Sequence, residues 1–252
     1  MEDKNGGVTT AIIVAGGEGT RLRPLTLHIP KPLVPLAGRP ILDHIIQELA
    51  RNGVKTVILA IGYKADKIMA HFEKERGSLP VEIIYSIEKE RLGTGGAIRQ
   101  AFEKADGAEN VIVVNGDNIF RIDFHDMYVR HKANEALATI GIVRVSNVKG
   151  YGVIVLDGER ILDFVEKPDP EEAKSNFVNG GTYMISRKAL ELLPKEHAFS
   201  FEKDFLQKRT AAGGIYGYHF TTFYTVNDMD QYRDVQERLA GGRGYGVKSG
   251  RP

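Results

Sequence analysis

The sequence has no cysteine in 252 residues, which excludes disulfides, thiolate metal sites and a cysteine nucleophile. It has no excess of charge: 34 Lys and Arg face 33 Asp and Glu, a net of +1. No global field draws in nucleic acid or an anionic membrane surface, and neither is expected as a partner. No apolar run approaches the roughly 18 residues of a membrane-spanning helix. The opening MEDKNGG is charged and polar and does not read as a targeting segment, so the expected location is cytoplasmic. What is present, 42% hydrophobic and 27% charged residues, suits a globular chain with one large core or one core with a lobe.

Against that plain background stands AIIVAGGEGTRLRPLTLHIPKPLVPLAGRPIL, residues 11–42. Ala11 to Val14 form a short apolar run that reads as a buried strand. Ala15, Gly16, Gly17, Gly19 and Thr20 follow as a loop whose backbone can turn tightly and offer bare N–H groups to phosphate oxygens. Arg21 and Lys31 add fixed positive charge: a guanidinium forks two phosphate oxygens and an ammonium holds one, which suits a pyrophosphate leaving group. Two better-known glycine motifs do not fit. A P-loop needs Lys and then Ser or Thr after its last glycine, where this chain has Thr20 and Arg21; the dinucleotide fingerprint needs a glycine where Leu22 stands.

The string GGEGTRLRPLT followed by PKPL resembles the signature of the sugar-1-phosphate nucleotidylyltransferases, and the resemblance extends over nearly the whole chain. It implies a nucleoside triphosphate and a sugar 1-phosphate as substrates and Mg²⁺ as cofactor. The expected fold is α/β, a Rossmann-like three-layer sandwich with a mixed, mainly parallel central sheet of the nucleotide-diphospho-sugar transferase type.

The patterning agrees. Strand-like and helix-like segments alternate through the first half: a helix with Ile41, Ile45, Ile46 and Leu49 ended by Gly53, strands at 54–62, 81–86 and 111–115, and helices at 65–75 and 94–104. The second half is richer in strands, at 138–145, 151–157, 160–167 and 178–186, with helices at 187–193, 201–211 and 228–239. No Pro, Gly or Ser-rich linker divides them, so residues 1–240 read as one domain, with a nucleotide half at 8–120 and a sugar-phosphate half at 121–240. The glycine-rich tail, 241–252, reads as flexible, and a β-helix domain of hexapeptide repeats is not expected. A homo-oligomer is compatible with all of this.

Asp117, in VVNGDN at the end of the apolar strand 111–115, stands where open α/β sheets bind ligands, and its carboxylate can meet the Mg²⁺ that travels with a nucleotide; Gly116 precedes it. The same residue could instead serve a turn or cap a helix. The resemblance makes Asp117 the metal-binding aspartate. Many relatives place a second aspartate in a DIGTP-like segment, whereas this chain has FYTVNDMDQY at 223–232, and its VN pair resembles the bacterial N-acetylglucosamine-1-phosphate uridylyltransferases. Asn227 is the expected second ligand, with Asp228 either its substitute or a helix cap.

EKERLGTGGAI, residues 88–98, resembles the base-recognition loop, with Gly93 and Thr94 beside the nucleotide and Gly93, Gly95 and Gly96 allowing a flat base to approach. Glu88 stands where uridylyl and thymidylyl relatives usually carry Gln and guanylyl relatives Glu. An acceptor-only carboxylate takes the two adjacent donors of guanine, so GTP is expected before UTP or dTTP. On the acceptor side the resemblance implies Gly152 of KGYGV packed against the sugar, Glu166 on its hydroxyls, Lys167 on its phosphate, and Asn179 and Gly180 of VNGGTY as a sugar-binding turn. FSFEKDFL at 199–206 resembles a segment of the heptose-1-phosphate and mannose-1-phosphate guanylyltransferases and points to a manno-configured acceptor; helix capping by Ser200 would also account for it. Three other readings stay open: a glucose-1-phosphate thymidylyl- or uridylyltransferase, a catalytically silent sugar-nucleotide-binding paralogue, and a glycosyltransferase of similar fold.

Overall fold

Alternate residues of the central strands are buried on opposite faces, which is why those strands read as continuous apolar runs. Ala11, Ile13, Val57, Leu59, Ile112 and Val114 belong to one core cluster, while Ile12, Ile58, Ala60, Val111 and Val113 belong to the other. Each cluster needs helices to cover it, and the sheet becomes the middle of three layers. The computed structural model describes residues 7–75 and 77–241, so the tail expected at 241–252 lies outside the described residues from 242 on.

The chain opens with β1 (Thr10–Val14), three short 3₁₀ turns and the small hairpin β2 (Pro35–Leu36) and β3 (Arg39–Pro40). It continues through α1 (Ile41–Arg51), β4 (Thr56–Ile61), α2 (Ala65–Lys74), β5 (Glu82–Ile87), α3 (Gly93–Phe102) and β6 (Asn110–Asn115). Then come β7 (Asn118–Arg121), α4 (Phe124–Ala133), β8 (Ala138–Arg144), β9 (Gly152–Asp157), β10 (Arg160–Glu166) and β11 (Phe177–Ser186). After a π-helical turn, Phe201–Leu206, the chain ends in α5 (Gln207–Arg209), β12 (Ile215–His219), β13 (Thr222–Thr225) and α6 (Met229–Ala240). Gly53, with φ +84°, follows the end of α1 as expected.

Among the described residues one nine-stranded sheet runs in the order β5-β4-β1-β6-β11-β8-β12-β10-β9 through both halves of the chain. The first four strands are parallel; beyond β6 the pairings are antiparallel except β8 with β12. From β1 the chain moves outward to β4 and β5, then returns to place β6 on the other side of β1. The carboxyl ends of β1 and β6 are therefore the switch point of the topology, and a crevice opens there.

Several elements depart from the sequence pattern. Residues 187–193 were expected to form an ordinary helix, but Arg187–Leu192 is a tighter 3₁₀ helix, and the expected helix 201–211 begins as a π turn. β7, β12 and α4 were not expected. The buried face of α4 is Phe124, Met127, Tyr128 and His131, so the helical stripe ends on a polar residue and reads weakly. No helix among the described residues is long and apolar enough to cross a membrane.

His131 is 1% exposed, with Nε2 3.1 Å from Asn110 Oδ1 and Nδ1 2.8 Å from Thr139 Oγ1. The Asn110 oxygen can only accept, so Nε2 carries the proton and Nδ1 accepts from the Thr139 hydroxyl. Burial, and secondarily Lys132, pushes His131 down to about 4. An unfolded chain takes up that proton first as pH falls, so the stability held above the ordinary histidine pKa is lost progressively towards pH 4. His131→Gln is expected to shrink the stability difference between pH 7 and pH 5 by about 2 kcal/mol, read from urea unfolding at both values. An unchanged difference would place the acid sensitivity elsewhere.

Candidate active site

The crevice at the switch point is a cleft of about 250 Å³ lined by Val14, Ala15, Gly17, Gly19, Thr20, Arg21, Lys31, Pro32, Gly116, Asp117 and Asn227. Its floor is made where β1 and β6 leave the sheet side by side. Gly116 N donates to Val14 O at 2.9 Å, and a Cβ at Gly116 would stand 2.9 Å from the Ala15 Cβ, so nothing larger than glycine fits. Gly19 has φ +64°, and a Cβ there would meet the Lys31 Cβ at 2.8 Å. Gly17 has open space around its Cβ position and faces the cleft.

Two backbone devices bring the charged groups together. The PKP turn holds Lys31 between Pro30 and Pro32 at the start of a 3₁₀ turn, which fixes the backbone on both sides of it. β13 pairs antiparallel with β7, Thr225 opposite Asn118, and Val226 N donates to Asp117 O at 3.0 Å. That ladder sets Asp117 and Asn227 next to each other although they are far apart in sequence. Lys31 Nζ lies 2.7 Å from Asp117 Oδ2 and 3.3 Å from Asn227 Oδ1. Asn227 Nδ2 donates to Thr225 Oγ1 at 2.7 Å, which turns its amide oxygen towards the lysine. Asp228 is otherwise occupied: its carboxylate caps α6, accepting from Asp230 N at 3.1 Å and Gln231 N at 2.9 Å.

The donor set fits a hard divalent cation. One carboxylate oxygen and one amide oxygen already converge on a positive charge, and oxygen ligands of this kind suit Mg²⁺ completed by phosphates and water. Among the described residues one other group could hold an ion, Asp43, His71 and Glu75, and it shares no residue with the cleft. There His71 already pairs with Asp43 at 3.0 Å across α1 and α2. A larger depression of about 600 Å³ at the end of α1 is also separate, and its buried Glu48 is paired with Arg121 at 2.6 Å.

Glu88 leaves the end of β5 and folds against the glycine loop: a Cβ on Gly16 would meet Glu88 Oε1 at 2.3 Å. Burial raises its pKa, opposed by a hydrogen bond from Leu92 N at 3.4 Å. Arg91 of the same segment pairs with Glu18 of the glycine loop, tying the two loops together. The neighbouring glycines also have a packing reason that the sequence does not show. The space beside Gly93 and Gly95 is filled by Phe199, and that beside Gly96 by His197 O and Leu92, with Cβ approaches of 2.5, 2.1 and 2.7 Å for the three glycines. Their missing side chains make room for the 197–199 segment. The Thr94 hydroxyl likewise faces this segment, donating to Glu202 Oε2 at 2.6 Å and accepting from Phe201 N at 2.9 Å.

Among the residues expected to meet the acceptor, a Cβ on Gly152 would stand 2.7 Å from the Phe164 ring and 2.8 Å from Glu166 Oε2. Glu166 Oε1 is 2.8 Å from Lys167 Nζ, and Lys167 itself has φ +52°, a left-handed conformation that costs a non-glycine residue energy. Lys167 N donates to Tyr151 O at 3.2 Å. Asn179 and Gly180 occupy the irregular stretch of β11, where the pairing with β8 is interrupted between Asn179 and Tyr183. Gly181, φ +63°, donates from N to Asn179 Oδ1 at 2.9 Å. Three residues escaped the sequence reading. Tyr151, whose pKa is raised by burial and then by Asp228 and Asp117, was legible only as the neighbour of Gly152; Tyr183 and Glu202 lay inside strings read for other reasons.

The model of the nucleotidyl transferase family matches residues 10–237. This chain belongs to that family. It is 35% identical over 230 residues to the D-glycero-alpha-D-manno-heptose 1-phosphate guanylyltransferase of Aneurinibacillus thermoaerophilus, covering 91% of this chain and 97% of that one. It is 36% identical over 214 residues to the mannose-1-phosphate guanylyltransferase of Mycobacterium tuberculosis, covering 82% of this chain but 58% of that longer protein. Among solved structures, HddC from Yersinia pseudotuberculosis superposes with a TM-score of 0.78 at 33% identity, covering 92% of this chain and all of HddC, and an HddC complex with GMP-PN gives 0.75. A UDP-glucose pyrophosphorylase complexed with UDP-glucose shares the fold at TM-score 0.78 and 22% identity.

The fit of Phe199 against α3 is testable by itself. Gly95→Ala drives a Cβ into the Phe199 ring and is expected to cost about 2–3 kcal/mol in urea unfolding. Phe199→Leu in the same chain should recover part of the loss. Full stability in Gly95→Ala alone would contradict the packing.

Proposed function

We infer that this nucleotidyl transferase moves the guanylyl group of GTP onto the phosphate of a manno-configured sugar 1-phosphate, mannose or a manno-heptose, and releases pyrophosphate. The observation that carries the base choice is Glu88, folded against Gly16 at the edge of the cleft, where an acceptor-only carboxylate matches the two donors of guanine. The acceptor rests on the similarity to the manno-heptose and mannose-1-phosphate guanylyltransferases and on the FSFEKDFL segment. Residues 8–120 and 121–240 act as the two halves of one domain, a reading supported by the sheet they share.

The chemistry needs no protein nucleophile. A sugar 1-phosphate is largely dianionic at neutral pH, its second pKa being about 6, so its own oxygen attacks the α-phosphorus. Lys167 aligns that phosphate, Glu166 holds sugar hydroxyls, and Gly152 with the Asn179–Gly180 turn shapes the seat. Ala15, Gly16, Gly17, Gly19 and Thr20 with Gly116 hold the triphosphate, and Gly93 and Thr94 act by holding the wall behind the base. Arg21 and Lys31 stabilise the departing pyrophosphate. Asp117 and Asn227 would hold Mg²⁺, which supplies charge neutralisation at the α-phosphate when bound.

Pyrophosphate release measured across nucleoside triphosphates and sugar 1-phosphates should give its strongest signal with GTP and a manno-configured acceptor. Glu88→Gln should move the preference towards UTP or dTTP. A dominant UTP or dTTP signal in the unaltered protein would overturn the base assignment, and silence with every pair alongside tight nucleotide-sugar binding would point to a regulatory paralogue. Arg21→Ala is expected to lower kcat by about 10²-fold while GTP affinity changes only a few-fold. Lost affinity with unchanged kcat would remove Arg21 from the transition state.

A further inference from the structure

The segment Phe199–Leu206 does more than cover α3. Its π-helical turn begins at Phe201, and the Ser200 side chain caps it by accepting from Lys203 N at 3.2 Å. Glu202, in this turn, stands at the centre of a hydrogen-bond chain that runs from Thr94 of α3 to Asn179 of β11. Glu202 Oε2 accepts from the Thr94 hydroxyl at 2.6 Å and the Ser200 hydroxyl at 2.9 Å. Glu202 Oε1 accepts from the hydroxyl of Tyr183, a fully buried residue, at 3.4 Å. Tyr183 in turn accepts from Asn179 Nδ2 at 2.8 Å, and Asn179 Oδ1 accepts from Gly181 N at 2.9 Å.

The direction of every bond in this chain follows from one end. A carboxylate only accepts, so three hydroxyls must donate to it. With its proton spent on Glu202, the Tyr183 oxygen is left to accept, and that selects the NH₂ of Asn179. The Asn179 oxygen is then turned to the Gly181 N–H, which fixes the left-handed turn, φ +63°, beside the sugar seat. A reversed dipole anywhere along the chain would set two donors against each other in a buried place.

We propose that Glu202 is a positioning residue for acceptor specificity: it polarises the Tyr183–Asn179 relay and so holds the Asn179–Gly181 turn in the one conformation that fits the acceptor sugar. Through Thr94 the same carboxylate anchors this relay to the first turn of α3, so the acceptor seat is referenced to the wall behind the nucleotide. The proposal rests on the guanylyl, manno-configured reading for the identity of the ligands, not for the direction of the bonds.

Glu202→Gln is the informative variant. Its remaining oxygen can stay with Thr94 and Ser200, while its NH₂ faces Tyr183 and opposes the donor already there. Calorimetry on the full chain compares GDP with GDP-mannose, since the difference isolates the sugar. Glu202→Gln is expected to weaken GDP-mannose about tenfold and GDP by less than about twofold. In turnover assays KM for the sugar 1-phosphate should rise by a similar factor with kcat within about threefold. Tyr183→Phe removes the relay but leaves Glu202 with Thr94. It should reproduce the effect, and the double variant should add no more than about twofold, because both changes break one chain.

Equal losses for GDP and GDP-mannose, additive effects in the double variant, or an unchanged GDP-mannose affinity in variants that melt like the parent would each overturn the proposal. If the unaltered protein prefers UDP-glucose to GDP-mannose, the guanylyl reading fails. The same comparison with UDP and UDP-glucose then decides the role of Glu202.

Discussion

The site depends on a constraint of chain connectivity. β6 returns to the sheet beside β1 on the side opposite β4, so the segments leaving these two strands part and cannot fill the space between them. The strands nevertheless approach so closely at their ends that Gly116 and Ala15 are in contact, which leaves a narrow crevice with backbone on its floor. Three polar groups of the cleft are positioned from its rims: Lys31 by the proline-flanked turn, Asp117 by the end of β6, and Asn227 by the β7–β13 ladder. The Lys31–Asp117–Asn227 contact ties the proline-flanked turn to the pair of segments that the β7–β13 ladder already holds together.

Much of this was legible in the sequence, for identifiable reasons. The glycine loop, the PKP turn and the apolar strand before Asp117 each carry local signals, glycine and proline geometry and burial on both faces, that do not depend on distant contacts. The resemblance of the VN pair singled out Asn227, which the structure sets with Asp117 on Lys31, and Asp228 takes the capping role that its position before a helix favours. α4 was lost because its stripe ends in a buried histidine, and β7 because four residues carry too little pattern.

What the sequence could not show are the long-range packing demands. Gly93, Gly95 and Gly96 look like a loop shaped for a ligand, but their missing side chains make room for Phe199 and His197, roughly 100 residues later in the chain. The same rearrangement of meaning applies to Thr94, whose hydroxyl serves Glu202. The segment behind α3 thereby becomes a structural bridge from Thr94 through Glu202 and Tyr183 to the Asn179 turn. A glycine signature thus has two sources, close approach to a ligand and close approach to the protein itself, and only coordinates separate them.

The claim on which the account turns is that Asp117 and Asn227 form the cation site of the reaction. Mn²⁺ bound in the presence of GTP can be counted by electron paramagnetic resonance, without turnover. The account predicts that Asp117→Asn weakens this binding at least about tenfold. Glu75→Gln, in the separate Asp43–His71–Glu75 cluster, should leave it unchanged. Undiminished Mn²⁺ binding in Asp117→Asn, or its loss in Glu75→Gln, would contradict the assignment of the site.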